Sequence, residues 1–364
     1  MSATSEMANA PAGTRPAWKT WLLAAVGIAA LIYLPMLLTD RSILGFRLPN
    51  LALLNLGVTQ INLMLISILG ALSLNYLMGC AGLISIGHGA FYATGAMTAA
   101  ITSTQWHWPF LAVLVAAAVV GAIVGVIAGL PSLRVRGLYF VLSTMAMHYI
   151  VVYLFLEYQL HFFDVVGIPF STPSILSFEL NKPMRWYFFL LALIFLTYWG
   201  LSNSLRSREG RAMLAMRDHE SAAVSVGVDV RLLRIKAFGL TSAIASVAGA
   251  LFAFYLSNVT SEAFGIGFAV QFIAMIIVGG MGSLSGAIVG AAVWLLLPSV
   301  IAGFAGEIGP MKGILGTILV ENRAQFVQFI FGSLVVVLLI FAPGGLMGLS
   351  RQFQALLGLG GRGK

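Results

Sequence analysis

Ten windows of the chain are apolar throughout and contain no Asp, Glu, Lys or Arg: 22–38, 51–78, 83–102, 109–130, 138–156, 186–202, 237–258, 266–281, 284–305 and 324–341. A helix crossing the hydrocarbon core of a bilayer needs roughly 17–25 predominantly apolar residues. A charge at its centre costs about 2.5–3.5 kcal/mol on insertion scales. The pattern therefore predicts an all-α polytopic membrane protein with about ten transmembrane helices. A polar tail, 1–21, precedes the membrane domain, 22–349, and a second tail, 350–364, follows it. Two windows depart from standard length: 266–281 is short enough for a half-helix, and 51–78 is long enough to hold extra helix. The first window is not read as a signal peptide, because it ends in Thr39-Asp40-Arg41 without a small-x-small cleavage site.

Composition agrees with this reading: 60% of residues are hydrophobic, 9% are charged and the mean hydropathy is +0.98. Soluble domains run near 25% charged. The single cysteine, Cys80, excludes an internal disulfide and a thiolate zinc site. The net charge of +8 lies in short loops and tails, without the long basic run or interleaved aromatics of a nucleic-acid surface. These charges orient the chain instead. With ten crossings and a cytoplasmic N-terminus, the outer segments hold only Arg41, Arg47, Lys182, Arg185, Lys312 and Arg323. The inner segments hold all the other basic residues. Arg206, Arg208, Arg211, Arg217, Arg231, Arg234 and Lys236 fall in the one substantial inner loop, 203–236. The positive-inside rule then places both termini in the cytoplasm. Trp106, Trp108, Trp186 and Tyr187 fall at the outer interface, where aromatic belts belong. The larger outer segments are 157–185 and 306–323.

Glycine is unusually frequent, at 40 residues. Gly121, Gly125 and Gly129, and again Gly282, Gly286 and Gly290, recur at every fourth position. On a helix this spacing makes a flat stripe that admits a neighbouring backbone. Gly79, Gly82 and Ser85 recur 200 residues later as Gly279, Gly282 and Ser285. That recurrence suggests two related halves with broken helices, a common transporter device.

The chemistry that is missing narrows the function. Transporters driven by ion gradients keep acidic or paired basic residues inside the bundle, and no window contains one. His88 and His148 are read as packing residues first and proton relays second. His219-Glu220 is followed by Ser221, Ala222 and Ala223, so no H-E-x-x-H metal motif forms there, and no G-x-x-x-x-G-K-[ST] phosphate loop occurs. Neither a catalytic nor a metal-ligating set is assigned, and the chain is read as a transport subunit rather than an enzyme. Energy for uphill movement must enter through a partner. Polar and small residues near the glycine-rich breaks, Ser85, His88 and Ser285, are the candidate contacts for a neutral or zwitterionic solute.

The partner should touch 203–236. Its centre, Gly210 to Gly227, reads as one short helix too polar to span, with Gly210, Arg211, Arg217, Asp218, Glu220, Ala222, Ala223 and Gly227 as coupling residues. Glu220, Ala222, Ala223 and Gly227 together resemble the Glu-Ala-Ala…Gly motif of ABC importer permeases. Four further segments are similar to the branched-chain amino acid permeases of the M-subunit (LivM) type. They are Asn75 to Phe91, Arg136-Gly137-Leu138-Tyr139-Phe140, Gly279 to Gly286, and Pro343 to Leu349. The resemblance covers about 60–350. It implies a bacterial inner-membrane importer: a second related permease, two cytoplasmic ATPases that bind ATP and Mg, and an outer solute-binding protein, all within membrane lipid. This chain would bind no cofactor itself. The resemblance also covers carriers of urea, amides and aromatic acids, so the substrate stays open. The alternative function is a nucleotide-independent channel or facilitator for a small neutral solute such as urea or an amide.

Overall fold

Five described helices are long and apolar enough to cross a membrane: Val58–Cys80, Phe110–Leu133, Leu138–Phe163, Pro183–Arg206 and Val230–Leu256. The structure, a computed structural model, describes residues 57–308 apart from 136, 164–166, 172, 176–177 and 181. It also describes 42–43, 46–47 and scattered positions between 325 and 348. The tails 1–21 and 350–364, window 22–38 and most of 306–323 and 324–341 lie outside the described residues.

Helix α1 (Val58–Leu74) runs into a π-helical turn, Asn75–Cys80. A non-helical stretch follows, and α2 (His88–Ala100) starts only after it. The 83–102 window is thus not one helix: residues 81–87 are non-helical, and Gly82 takes a φ of +71° that suits glycine. Helix α2 runs on without a break into a π-helical turn, Ile101–Gln105, so its 13 residues and the five of the turn form one helical run that begins only at His88. Irregular backbone at membrane depth is tolerated where protein surrounds it or a cavity adjoins it. Both conditions hold here, as the site geometry shows.

The remaining helices are α3 (Phe110–Gly129), α4 (Leu138–Phe163), α5 (Pro183–Arg206), α6 (Arg208–Asp218), α7 (Glu220–Ser225), α8 (Val230–Leu256), α9 (Ile266–Gly279) and α10 (Leu284–Ile308). Pro183 opens α5 at a position where its missing N–H costs nothing. Ser207 Oγ caps α6 by accepting from Gly210 N at 3.2 Å, and Asp229 Oδ1 caps α8 by accepting from Leu232 N at 3.1 Å. Helices α9 and α10 meet at 118°, the geometry of a broken span or a re-entrant loop rather than two full crossings.

Helices α1 and α8 are the most enclosed of the five long helices, while α3, α4 and α5 leave apolar faces outward. Glycine explains how α8 is approached so closely. A Cβ on Gly121 or Gly125 would collide with Ser246 and Ser242 of α8, and one on Gly129 would meet Phe238 at 3.1 Å. On α8's other side, Gly95 of α2 stands against the Ser246 backbone, and Gly249 stands against the Tyr92 backbone. Ser246 Oγ donates to Phe91 O at 2.7 Å across the same contact. Gly286 and Gly290 pack on Gly279 and Gly280 across the α9–α10 bend. Gly282 does not continue that stripe. It precedes α10 with a φ of +85°, so it is a turn glycine whose conformation, not its flat face, demands the residue type.

Buried hydroxyls on α2 are satisfied locally: Thr94, Thr98 and Thr102 each donate to the carbonyl four residues earlier at 2.7–2.8 Å. At the end of the bundle opposite α6 and α7, Ile168–Pro169 pairs with Asn258–Val259, and Gln159 Oε1 accepts from Ser261 N at 2.8 Å. Trp106 and Trp108 are exposed there, but Trp186 and Tyr187 are buried. Trp186 packs edge-on to Phe110 and Tyr255. The aromatic belt read from sequence therefore loses two of its four members to core packing.

Candidate functional site at two facing helix breaks

The two glycine-rich breaks, Gly79–Gly82 and Gly279–Gly282, lie against each other. Asn75, fully buried in the π-turn of α1, holds them together. Its Oδ1 accepts from Gly282 N at 2.8 Å and its Nδ2 donates to Ser283 O at 2.6 Å. A Cβ on Gly79 would collide with Gly282 N and with the Asn75 side chain, so only glycine allows this approach. Gly345, with a φ of +68°, stands against the Gly279–Gly280 backbone at the same place.

Arg217 reaches this junction from α6. Its Nη1 donates to Gly79 O at 2.7 Å, its aliphatic stem covers Gly82, and its guanidinium lies beside Gly282. The π-turn frees backbone carbonyls from the α-helical ladder, and a guanidinium is the donor best shaped to collect one. Asp218 holds the outer edge of that guanidinium at 2.9 Å. Tyr76, one residue after Asn75, pairs with Ser204 Oγ at 2.8 Å and with Met213 Sδ at 3.4 Å, which seats α6 on α1.

The segment 210–227 is two helices, not one. His219, with a φ of −150° and ψ of 95°, ends α6 and begins α7, and Gly227 closes α7 at a φ of +84°. Gly210 is buried against Ser204 and Leu205, while Arg211 is exposed and donates to Arg206 O at 2.6 Å. On α7 the small residues split. Ala223 is only 2% exposed and faces the protein's own interior, whereas Ala222 and Gly227 are exposed beside Val224 and Val226. Glu220 Oε2 pairs with Arg234 Nη2 at 2.8 Å, and Arg234 Nη1 donates to Ser132 O at 2.5 Å. Lys236 Nζ to Glu209 Oε1 adds an exposed tie between α8 and α6.

Ser85 and His88 are both fully buried, in and just after the non-helical stretch. Ser73 Oγ donates to Gly70 O at 2.8 Å and lies 2.7 Å from His88 Nε2. The hydroxyl has one proton, so His88 carries its own on Nε2 and presents an accepting Nδ1. That atom and Ser85 Oγ have no hydrogen-bond partner. Ser285 is half-buried and pairs with Ser283 Oγ at 3.0 Å, which ties it to the second break rather than to His88. Among the described residues no three His, Cys, Asp or Glu side chains are grouped to hold a metal. Asn75 and Arg234 escaped the sequence reading. The first had a weak signal, one of four side-chain amides inside the charge-free 51–78 window. The second had none beyond its charge, because its partners Ser132 and Glu220 lie 102 and 14 positions away.

An arrangement of apolar helices long enough to span, non-helical backbone buried between them and a charged helical pair lashed to the breaks fits a multi-pass membrane transport subunit. The chain matches the family model described as branched-chain amino acid transport system / permease component over residues 58–343, and it belongs to that family. It is 28% identical over 317 residues to the high-affinity branched-chain amino acid transport system permease protein LivM of Escherichia coli strain K12. That alignment covers 79% of this chain and 69% of the relative. The LivM protein of Salmonella typhimurium is 28% identical over 315 residues, with the same coverage of each chain. The probable branched-chain amino acid transport permease protein LivM of Methanocaldococcus jannaschii is 27% identical over 270 residues, covering 71% of this chain and 74% of that one. No solved structure matches.

Proposed function

We propose that the chain is one of two permease subunits in an ATP-driven importer of branched-chain amino acids, placed in a bacterial inner membrane with both termini and α6–α7 in the cytoplasm. A second, related permease completes the path. Two ATPase subunits bind ATP and Mg, and a solute-binding protein delivers the solute from outside. The observation that carries this reading is Arg217, which joins an exposed helical pair to both helix breaks through Gly79 O and Gly282. A displacement of α6 is thereby transmitted to the backbone of α1 and to the α9–α10 turn together. The exposed Ala222, Val224, Val226 and Gly227 give α7 a small apolar tip suited to an ATPase groove. Ser85 Oγ and His88 Nδ1, two of the buried polar atoms without a hydrogen-bond partner, are the ones assigned to meet a solute in the path.

Co-expression with candidate partners and purification in mild detergent tests the reading. An ATPase should co-purify, and L-leucine uptake by reconstituted vesicles should stop when ATP is withheld. Uptake that survives ATP depletion, with no ATPase retained, would make the chain a facilitator instead.

A further inference from the structure

Beside α7 lies a pocket of about 190 Å³, within the same compact unit as the helix breaks. Pockets for drug-sized ligands run about 300–1,000 Å³, so this one suits a smaller solute. Its wall is the entry to the non-helical stretch, Gly82, Leu83 and Ile84, where backbone is not committed to a helix. Leu83, Val135 and Phe140 supply an apolar side, and Glu220, Arg234 and Ser132 supply the polar one. Arg234 is 8% exposed, and its Nε has no hydrogen-bond partner.

We propose that this pocket binds a zwitterionic amino acid with an aliphatic side chain, which takes the places of Arg234 and Glu220 in their mutual ion pair. The inference rests on reading the chain as an amino-acid permease and adds a second, α7-side site to it. The ligand's carboxylate meets the Arg234 guanidinium, including its open Nε. The ligand's ammonium meets Glu220 and the Ser132 carbonyl, and its side chain meets Leu83, Val135 and Phe140. Opening a part-buried ion pair is costly unless both charges find replacements, and a zwitterion brings both at once. A neutral amide or urea brings neither, and a simple acid or amine brings one. Occupation also loosens the tie between α7 and α8, so solute accumulating on this side acts back on the coupling helices.

The test uses the purified full-length chain in lipid nanodiscs, without a solute-binding protein, and labelled L-leucine as the probe. Saturable binding is expected, with leucinol and 4-methylpentanoate at least tenfold weaker as competitors. Val135→Trp, which fills the pocket and leaves the ion pair intact, should weaken leucine binding at least tenfold. The double variant Glu220→Gln/Arg234→Gln, which removes both charges together, should do the same if the tryptophan is not accommodated. Leucine binding unchanged in both variants, or equal competition by leucinol, overturns the proposal. ATP-driven leucine uptake by the reconstituted importer separates the two readings. Uptake without saturable binding to the chain removes the pocket and leaves the transport function standing. Variant-sensitive binding without uptake does the reverse.

Discussion

Arg217 Nη1 and the carbonyl of Gly79 lie 2.7 Å apart, although 138 positions separate the two residues in the chain. The arginine belongs to a helix too polar to enter a membrane, and the glycine ends a π-turn in one of the most buried helices of the protein. The Arg217 side chain is 38% exposed, so the contact adds little to stability. Its consequence is mechanical. Arg217→Met should leave membrane insertion and ATPase assembly intact while uncoupling them. Solute uptake per ATP hydrolysed should fall at least tenfold in proteoliposomes, and an unchanged ratio would remove Arg217 from the coupling path.

Asn75 is a stability residue rather than a gate. Replacing it with Leu leaves the part-buried Gly282 N–H and Ser283 carbonyl without their present partners. Each such group costs about 1–3 kcal/mol. Asn75→Leu should therefore destabilise the bundle by about 2 kcal/mol or more and lower the detergent thermal midpoint by several degrees. Asn75→Asp, which keeps the acceptor for Gly282 N, should separate the two hydrogen bonds.

Two glycines should respond in opposite directions. Gly95→Ala forces a methyl group into the Ser246 backbone, where α2 and α8 touch. Overpacking of this kind costs about 1–3 kcal/mol. Gly200 lies in α5 with nothing within 4 Å of an added Cβ. Gly200→Ala should stabilise by about 0.5–1 kcal/mol, because alanine has less freedom to lose on folding. Thermal unfolding of the two variants side by side checks both signs.

On α7, neighbouring alanines should give different defects. Ala222→Trp sits on the exposed face and should reduce ATPase co-purification with the permease's own thermal midpoint unchanged. Ala223 is 2% exposed, so Ala223→Trp should lower that midpoint before any effect on docking is read. If the two variants behave alike in both measurements, the assignment of the α7 faces is wrong.

Orientation is open to a direct check. Ala215 is exposed on α6, and Cys80 is buried. An Ala215→Cys variant with Cys80 replaced should react with an impermeant maleimide only after the membrane is permeabilised from the cytoplasmic side. Labelling from outside intact cells would invert the topology and remove the ATPase-coupling role of α6 and α7.

The membrane class, the long helices and the family segments were legible in the chain because each is a local property. A run of about twenty predominantly apolar residues without a charge belongs in a bilayer, wherever it falls in the sequence. The glycine row of α3 was legible for the same reason, since a four-residue period marks one helix face. What each face meets was not. The 83–102 window carries enough apolar residues for a span, yet its first residues are non-helical: Gly82 turns at a positive φ, and Leu83 N is tied back to Leu77 O. Gly282 fits a helical stripe on paper and stands in a turn in the fold, since period alone does not report the sign of φ. The separation of Ala222 from Ala223, the pairing of Glu220 with Arg234 and the meeting of the two breaks are all long-range. Packing decided them by bringing together donors, acceptors and charges that no periodicity connects.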